Sequence, residues 1–246
     1  MQTTINGQLL ITMLVEDLIL HIPEIVLLQT NTDGATFRFD KKYLDQFNSI
    51  CKGWEGVTKL NLEQSDYSKM IIRDVNNYIG IYTSGKVKCK GSFEWEDLQN
   101  HKYSSLSKNK SHLIIPKAIY NYFVNNIIPE QYLASNRNIF DYCGGVKSKG
   151  AWYFKETCVV KGVLTERKLQ KVVRYYVSNK GCKILKYNPD GRQIQIEAGP
   201  YLQTEFNQFI SKSWEEYDVD ESYYLDHIYN EIANISPKKQ TQLQLF

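Results

Sequence analysis

The sequence predicts an α+β fold, with an antiparallel sheet and packed helices over residues 1–100 and a mixed, mainly helical region over 101–236. Three observations carry this expectation. Two hairpin signals fall at residues 31–34 and 83–85. Helical periodicity appears in residues 5–22 and returns beyond residue 116. Between them, residues 101–112 are polar and rich in Ser, Lys and Asn, as a hinge would be. Residues 237–246 read as a mobile tail.

Leu10, Leu14 and Leu18 share one helical stripe and Ile5, Leu9 and Met13 an adjacent one, and Pro23 ends that helix. Residues 25–29 and 35–39 are β runs joined by Asn31-Thr32-Asp33-Gly34, an Asp-Gly hairpin signal. A helix is expected over 40–52, a strand within 54–62 and a short helix over 65–76. Residues 78–82 and 86–91 flank the second turn. Helices follow at 116–126 and 130–136, mixed structure with β pairing near Val159, Ile184 and Ile194, and one or two helices over 214–232.

Composition bounds the function. The chain has 246 residues, 42% hydrophobic and 23% charged, which is enough apolar content for real cores and reads as globular. The apolar stretch at residues 9–20 is interrupted by Glu16 and Asp17 and is too short to cross a bilayer. No secretory signal is recognised, so a cytoplasmic location and no membrane partner are expected. Five cysteines show no CxxC pair and no zinc-ligand spacing, which fits a reducing compartment and excludes a predicted zinc site.

Four features carry chemistry. Asp33 sits at a hairpin tip, where a carboxylate is held on a rigid frame, as a two-metal phosphoryl-transfer site requires. A plain turn role explains the same Asp-Gly pair. In Lys86-Val87-Lys88-Cys89-Lys90-Gly91, alternation puts three lysines on one face, spaced about 6.6 Å apart. That spacing suits a polyphosphate strand, and Tyr78 adds an aromatic beside it. Residues 161–192 hold nine basic side chains against two acidic ones. Lys171, Arg174, Tyr175, Lys180 and Lys183 are the candidate nucleic-acid contacts there. Residues 205–231 are the reverse, with eight acids and one lysine. Finally Gln242, Leu243, Leu245 and Phe246 place apolar anchors and a glutamine at a polar terminus, suited to a preformed pocket on another protein.

Together these motifs resemble the family B DNA polymerases, particularly the divergent ones of bacterial viruses. Residues 29–34 look like the family's palm motif Tyr-Gly-Asp-Thr-Asp-Ser, with Asp33 at its second aspartate, Asn31 in place of the first and Gly34 in place of the serine. Asn76-Asn77-Tyr78 followed by residues 86–91 is similar to the family's Lys-Lys-x-Tyr motif and the Lys-x-Lys-Gly strand after it. Asn76 and Asn77 replace the lysines, and Glu94 also recurs in the pattern. The terminal residues 242–246 resemble the pentapeptide that binds a bacterial-type sliding clamp.

The resemblance implies a palm portion over 1–100, a thumb over 101–236 and a clamp-binding tail over 237–246. It implies Mg2+-dependent nucleotidyl transfer on primer–template DNA, with Asp33 as catalytic metal ligand. It also implies dependence on an N-terminal polymerase polypeptide that supplies the other palm aspartate and the fingers, since neither is recognised in this sequence. The alternative expectation is a noncatalytic DNA-binding and clamp-tethering module.

Overall fold

The computed structural model describes residues 2–31, 34–95 and 111–235. The chain divides into two compact units, Met1–Lys88 and Cys89–Phe246. Both are mixed α and β, with antiparallel pairing throughout their sheets. The predicted hinge lies mostly in residues 96–110, outside the described residues.

The first unit opens with helix α1 (Gln2–His21). Its Leu14 and Leu18 are buried with Ile22 and with Trp54 of α2 (Leu44–Thr58). Leu10, Phe37, Phe39 and Phe47 pack around them, the last two rings stacked at 4.7 Å. The Trp54 indole N–H donates to the Leu10 carbonyl at 2.9 Å, so a ring too large to leave its polar edge unpaired pins α2 to α1. The second stripe of α1 stays at the surface: Ile5, Leu9 and Met13 are each about half exposed.

Strands β1 (Val26–Thr30) and β2 (Ala35–Arg38) form the first hairpin, ending at the pair Thr30↔Ala35. The Asn31 N–H donates to the Gly34 carbonyl at 2.9 Å and closes the turn.

Two expectations fail here. The strand expected within 54–62 does not form. Helix α2 runs to Thr58 and ends on Lys59 in the left-handed conformation, held in register by the buried face that Trp54 supplies. The helix expected over 65–76 is strand β3 (Tyr67–Asp74), because Tyr67, Ile71 and Ile72 find partners on β4 (Asn77–Tyr82). The second hairpin is present as read: Tyr82 donates to the Lys86 carbonyl across Thr83-Ser84-Gly85, and Gly85 takes a φ of 84° that favours glycine. Strand β5 (Val87–Lys90) completes the order β3-β4-β5.

The second unit departs most from expectation. Its middle is not mainly helical but a seven-stranded antiparallel sheet, in the order β6-β9-β12-β10-β7-β8 with β11 paired to β10. The strands are β6 (Gly144–Lys147), β7 (Tyr153–Val160), β8 (Val163–Lys168), β9 (Val172–Ser178), β10 (Cys182–Tyr187), β11 (Gln193–Ile196) and β12 (Tyr201–Thr204). Helices α3 (Ile114–Asn125), α4 (Pro129–Ser135) and α5 (Ile139–Tyr142) precede the sheet, and α6 (Trp214–Tyr217) and α7 (Glu221–Ile235) follow it. Helix α7 packs on α3 and α4 through Tyr224, Ile228 and Ile232. The Tyr224 hydroxyl, wholly buried, donates to the Tyr142 carbonyl at 2.7 Å and accepts from the Val177 N–H at 2.9 Å. It thereby ties α7 to β9 and α5. No helix among the described residues is long and apolar enough to cross a membrane.

Candidate nucleic-acid interface

The alternation expected on β5 is present. Lys86, Lys88 and Lys90 are exposed while Val87 and Cys89 are half-buried. On β3 and β4 the inward face holds Ile71 and Ile79, 3% and 0% exposed. The outward face holds three tyrosines. Tyr67 and Tyr82 are cross-strand partners with rings stacked at 4.7 Å, and Tyr78 shares the face of β4 that Tyr82 presents.

Gly80 makes this stacking possible. A Cβ at that position would lie 2.6 Å from Tyr67 Cε1, so the ring lies across bare backbone. The Tyr67 hydroxyl bonds to that of Tyr82. Burial, then that bond, raise the Tyr67 pKa; the bond, with Lys88 and Lys86 adding to it, lowers that of Tyr82. Phenol rings and ammonium groups therefore share one surface, a pairing that meets the phosphates and the sugar or base faces of a nucleic-acid strand. Tyr67 and Tyr82 were not singled out from sequence. Their signal is the register between β3 and β4, invisible while β3 reads as a helix.

Asp33 and Thr32 lie outside the described residues, so the predicted metal-ligand position is framed by its strands and not itself described. Beside the hairpin is a cavity of about 550 Å³ lined by Gln8, Ile11, Thr12 and Val15 of α1 and by Leu27, Thr30 and Asn31. Its volume falls in the range of small-molecule sites. Its described lining offers amide and hydroxyl oxygens but no carboxylate. Hard divalent cations are held by carboxylates, so the described lining alone does not fit Mg2+. Glu94 has a local role: its carboxylate accepts from the Gly91 N–H at 3.1 Å.

The basic region splits. Lys171, Lys180 and Lys183 are exposed, with Lys180 3.8 Å from Asp218. Arg174 and Tyr175, expected as nucleic-acid contacts, are interior at 4% and 3% exposure, which removes them from any phosphate surface. The Arg174 guanidinium donates to the Asn207 carbonyl at 3.0 Å and lies over the Phe140 ring, and burial lowers its pKa. The signal was available. The run Val172-Val173-Arg174-Tyr175-Tyr176-Val177 is too continuously apolar for a strand with one wet face, and β9 is buried on both.

Tyr175 belongs instead to a polar cluster. Glu197, at a φ of 47°, accepts from Tyr175 at 2.8 Å and Tyr223 at 3.0 Å, and lies 3.4 Å from His112 Nε2. His112 Nδ1 faces the Tyr142 carbonyl at 2.9 Å. The bond to His112, then those from the two tyrosines, hold the Glu197 carboxyl down at about 2. Gly144 leaves the room this needs: a Cβ there would lie 2.7 Å from the Tyr175 ring.

The cysteine pattern suggests a reducing compartment, yet two of the five cysteines are linked. Cys158 on β7 faces Cys182 on β10 in register, and the two form a disulfide. Strand register brought them together, which no CxxC spacing signals. Cys51, Cys89 and Cys143 are free thiols. The tail residues Gln242, Leu243, Leu245 and Phe246 lie outside the described residues.

No family model, curated protein or solved structure matches this chain.

Proposed function

We propose that the chain is a portion of a DNA-directed DNA polymerase of family B type, gripping primer–template DNA and supplying Asp33 to a Mg2+-dependent nucleotidyl-transfer site. The observation that carries the reading is the exposed face on which Lys86 and Lys88 lie beside the stacked Tyr67–Tyr82 pair, with Lys90 continuing the strand's outward alternation. The hairpin around position 33 and the cavity along α1 are consistent with it.

On this reading the ammonium groups neutralise backbone phosphates, and the tyrosines fix the strand laterally by stacking. Asp33 and an acid of a second polypeptide would hold Mg2+, and the chemistry it would supply there is activation of the 3′-hydroxyl and stabilisation of charge on the transferred phosphoryl group. The second polypeptide also carries the site for the incoming nucleotide, and residues 242–246 dock on a sliding clamp.

The grip is tested by measuring primer–template affinity over a range of salt. Each phosphate contact contributes roughly 0.9 to the slope of log K against log salt. Replacing Lys86, Lys88 and Lys90 with Gln lowers the slope by up to about 3 on that basis. An unchanged slope removes this face from the nucleic acid.

A further inference from the structure

Strands β7 and β8 pair over six rungs, from Lys155↔Lys168 out to Val160↔Val163. On its other side β7 is covered by β10 only as far as Cys158↔Cys182, the rung that carries the disulfide. Beyond it, among the described residues, 159–164 form a two-stranded ribbon with no third strand. The ribbon turns at Lys161 and Gly162, both left-handed at φ 48° and 79°, the geometry of a tight two-residue hairpin.

Its tip is apolar on both faces. Val159, Val160, Val163 and Leu164 are 68%, 53%, 63% and 64% exposed. A cluster of aliphatic side chains at a rigid projecting end marks an interaction site more often than chance exposure. The surrounding charge is positive. Glu166 is matched by Lys155 at 2.7 Å and Glu156 by Arg167 at 2.7 Å, which leaves Lys161, Lys168 and Lys183 as a surplus.

We propose that this ribbon enters a groove of duplex DNA, its aliphatic tip against the bases and Lys161, Lys168 and Lys183 on the flanking phosphates. The proposal rests on the nucleic-acid reading above and adds a second, apolar contact to it. A two-stranded ribbon fits the B-form major groove, about 12 Å wide, where aliphatic side chains contact thymine methyl groups. The A-form major groove of RNA is too deep and narrow for it. An anionic bilayer would satisfy the same cations. However, residues 159–164 contain none of the Trp or Tyr that anchor proteins at a membrane surface. Cross-linking the ribbon's base to β10 leaves little conformational freedom to lose on insertion.

The test measures binding of the full chain to a 5′-labelled DNA duplex, a matched RNA duplex and phosphatidylglycerol vesicles across a salt series. The double variant Val160→Ser, Leu164→Ser should bind the DNA duplex on the order of 10-fold more weakly with its salt slope unchanged, since apolar contacts release no counterions. Lys161→Gln with Lys183→Gln should instead lower the slope by about 2. Should the Ser pair disturb folding, judged by circular dichroism, Val159→Thr with Val163→Thr repeats the test with side chains of nearly the same shape. Unchanged DNA affinity in a folded tip variant overturns the proposal. So does equal or tighter binding to RNA, or a loss confined to vesicle binding. If the tip variants bind as the wild type while the Lys86, Lys88 and Lys90 substitutions still lower the slope, only the ribbon's role falls. Absence of wild-type DNA binding at low salt would remove the functional reading itself.

Discussion

Glu197 shows how a single residue can be fixed by its surroundings. Three donors converge on a carboxylate whose own backbone is left-handed, and they hold its pKa at about 2 against an ordinary 4.5. A carboxyl depressed in the folded state stabilises the fold above its unfolded pKa, and that stability is lost as pH falls through the folded value. The window therefore lies between about pH 5 and pH 2. Urea unfolding should show stability falling through this range. Glu197→Gln should cost about 2 kcal/mol at neutral pH and flatten the acid limb. A variant with the wild-type acid profile would show that another group governs it. None of this cluster was legible in the sequence, because His112, Glu197 and Tyr223 are far apart along the chain and meet only through tertiary packing.

At the scale of elements, legibility tracked whether the deciding interaction was local. Helix α1 and both hairpins were readable because periodicity and turn chemistry lie within a few residues. Strand β3 was not. Met70-Ile71-Ile72 is a short apolar run that suits helix or strand equally, and only its pairing with β4 decides. The sheet of the second unit was underestimated where its strands are matched across long separations, as β6 with β9 and β7 with β10 are, although the turn between β7 and β8 is a local signal. The β3–β4 pairing gives a test at this scale. Gly80→Ala pushes a methyl into the space of the Tyr67 ring and should destabilise the fold by about 1–3 kcal/mol in chemical denaturation. It should also weaken primer–template binding by breaking the Tyr67–Tyr82 stack. Full stability and affinity in that variant would mean that the ring moves without consequence.

For the whole molecule, the distribution of charge and apolar surface sets what the chain can hold. The first unit presents lysines and tyrosines on one sheet face, and an exposed stripe of Ile5, Leu9 and Met13 on its first helix. The second presents a basic, aliphatic-tipped ribbon and keeps Arg174 and Tyr175 inside. The lysine pattern was legible because alternation along one strand is a local property. Which members of the basic run at 161–192 reach solvent was legible only in part: the apolar run at 172–177 signals that Arg174 is covered, while the exposure of the others depends on which strands lie beside them.

The central claim is that Asp33 supplies a metal-binding acid to a site completed by a second polypeptide. It is tested most directly by primer extension with Mg2+, using this chain combined with a polypeptide that carries the complementary palm aspartate and fingers, and comparing wild type with Asp33→Ala. The account predicts extension only from the combined wild-type pair. It predicts no extension from the Asp33→Ala pair, although that chain binds primer–template with unaltered affinity. Undiminished extension by the Asp33→Ala pair would contradict it and leave a nucleic-acid-binding module in its place.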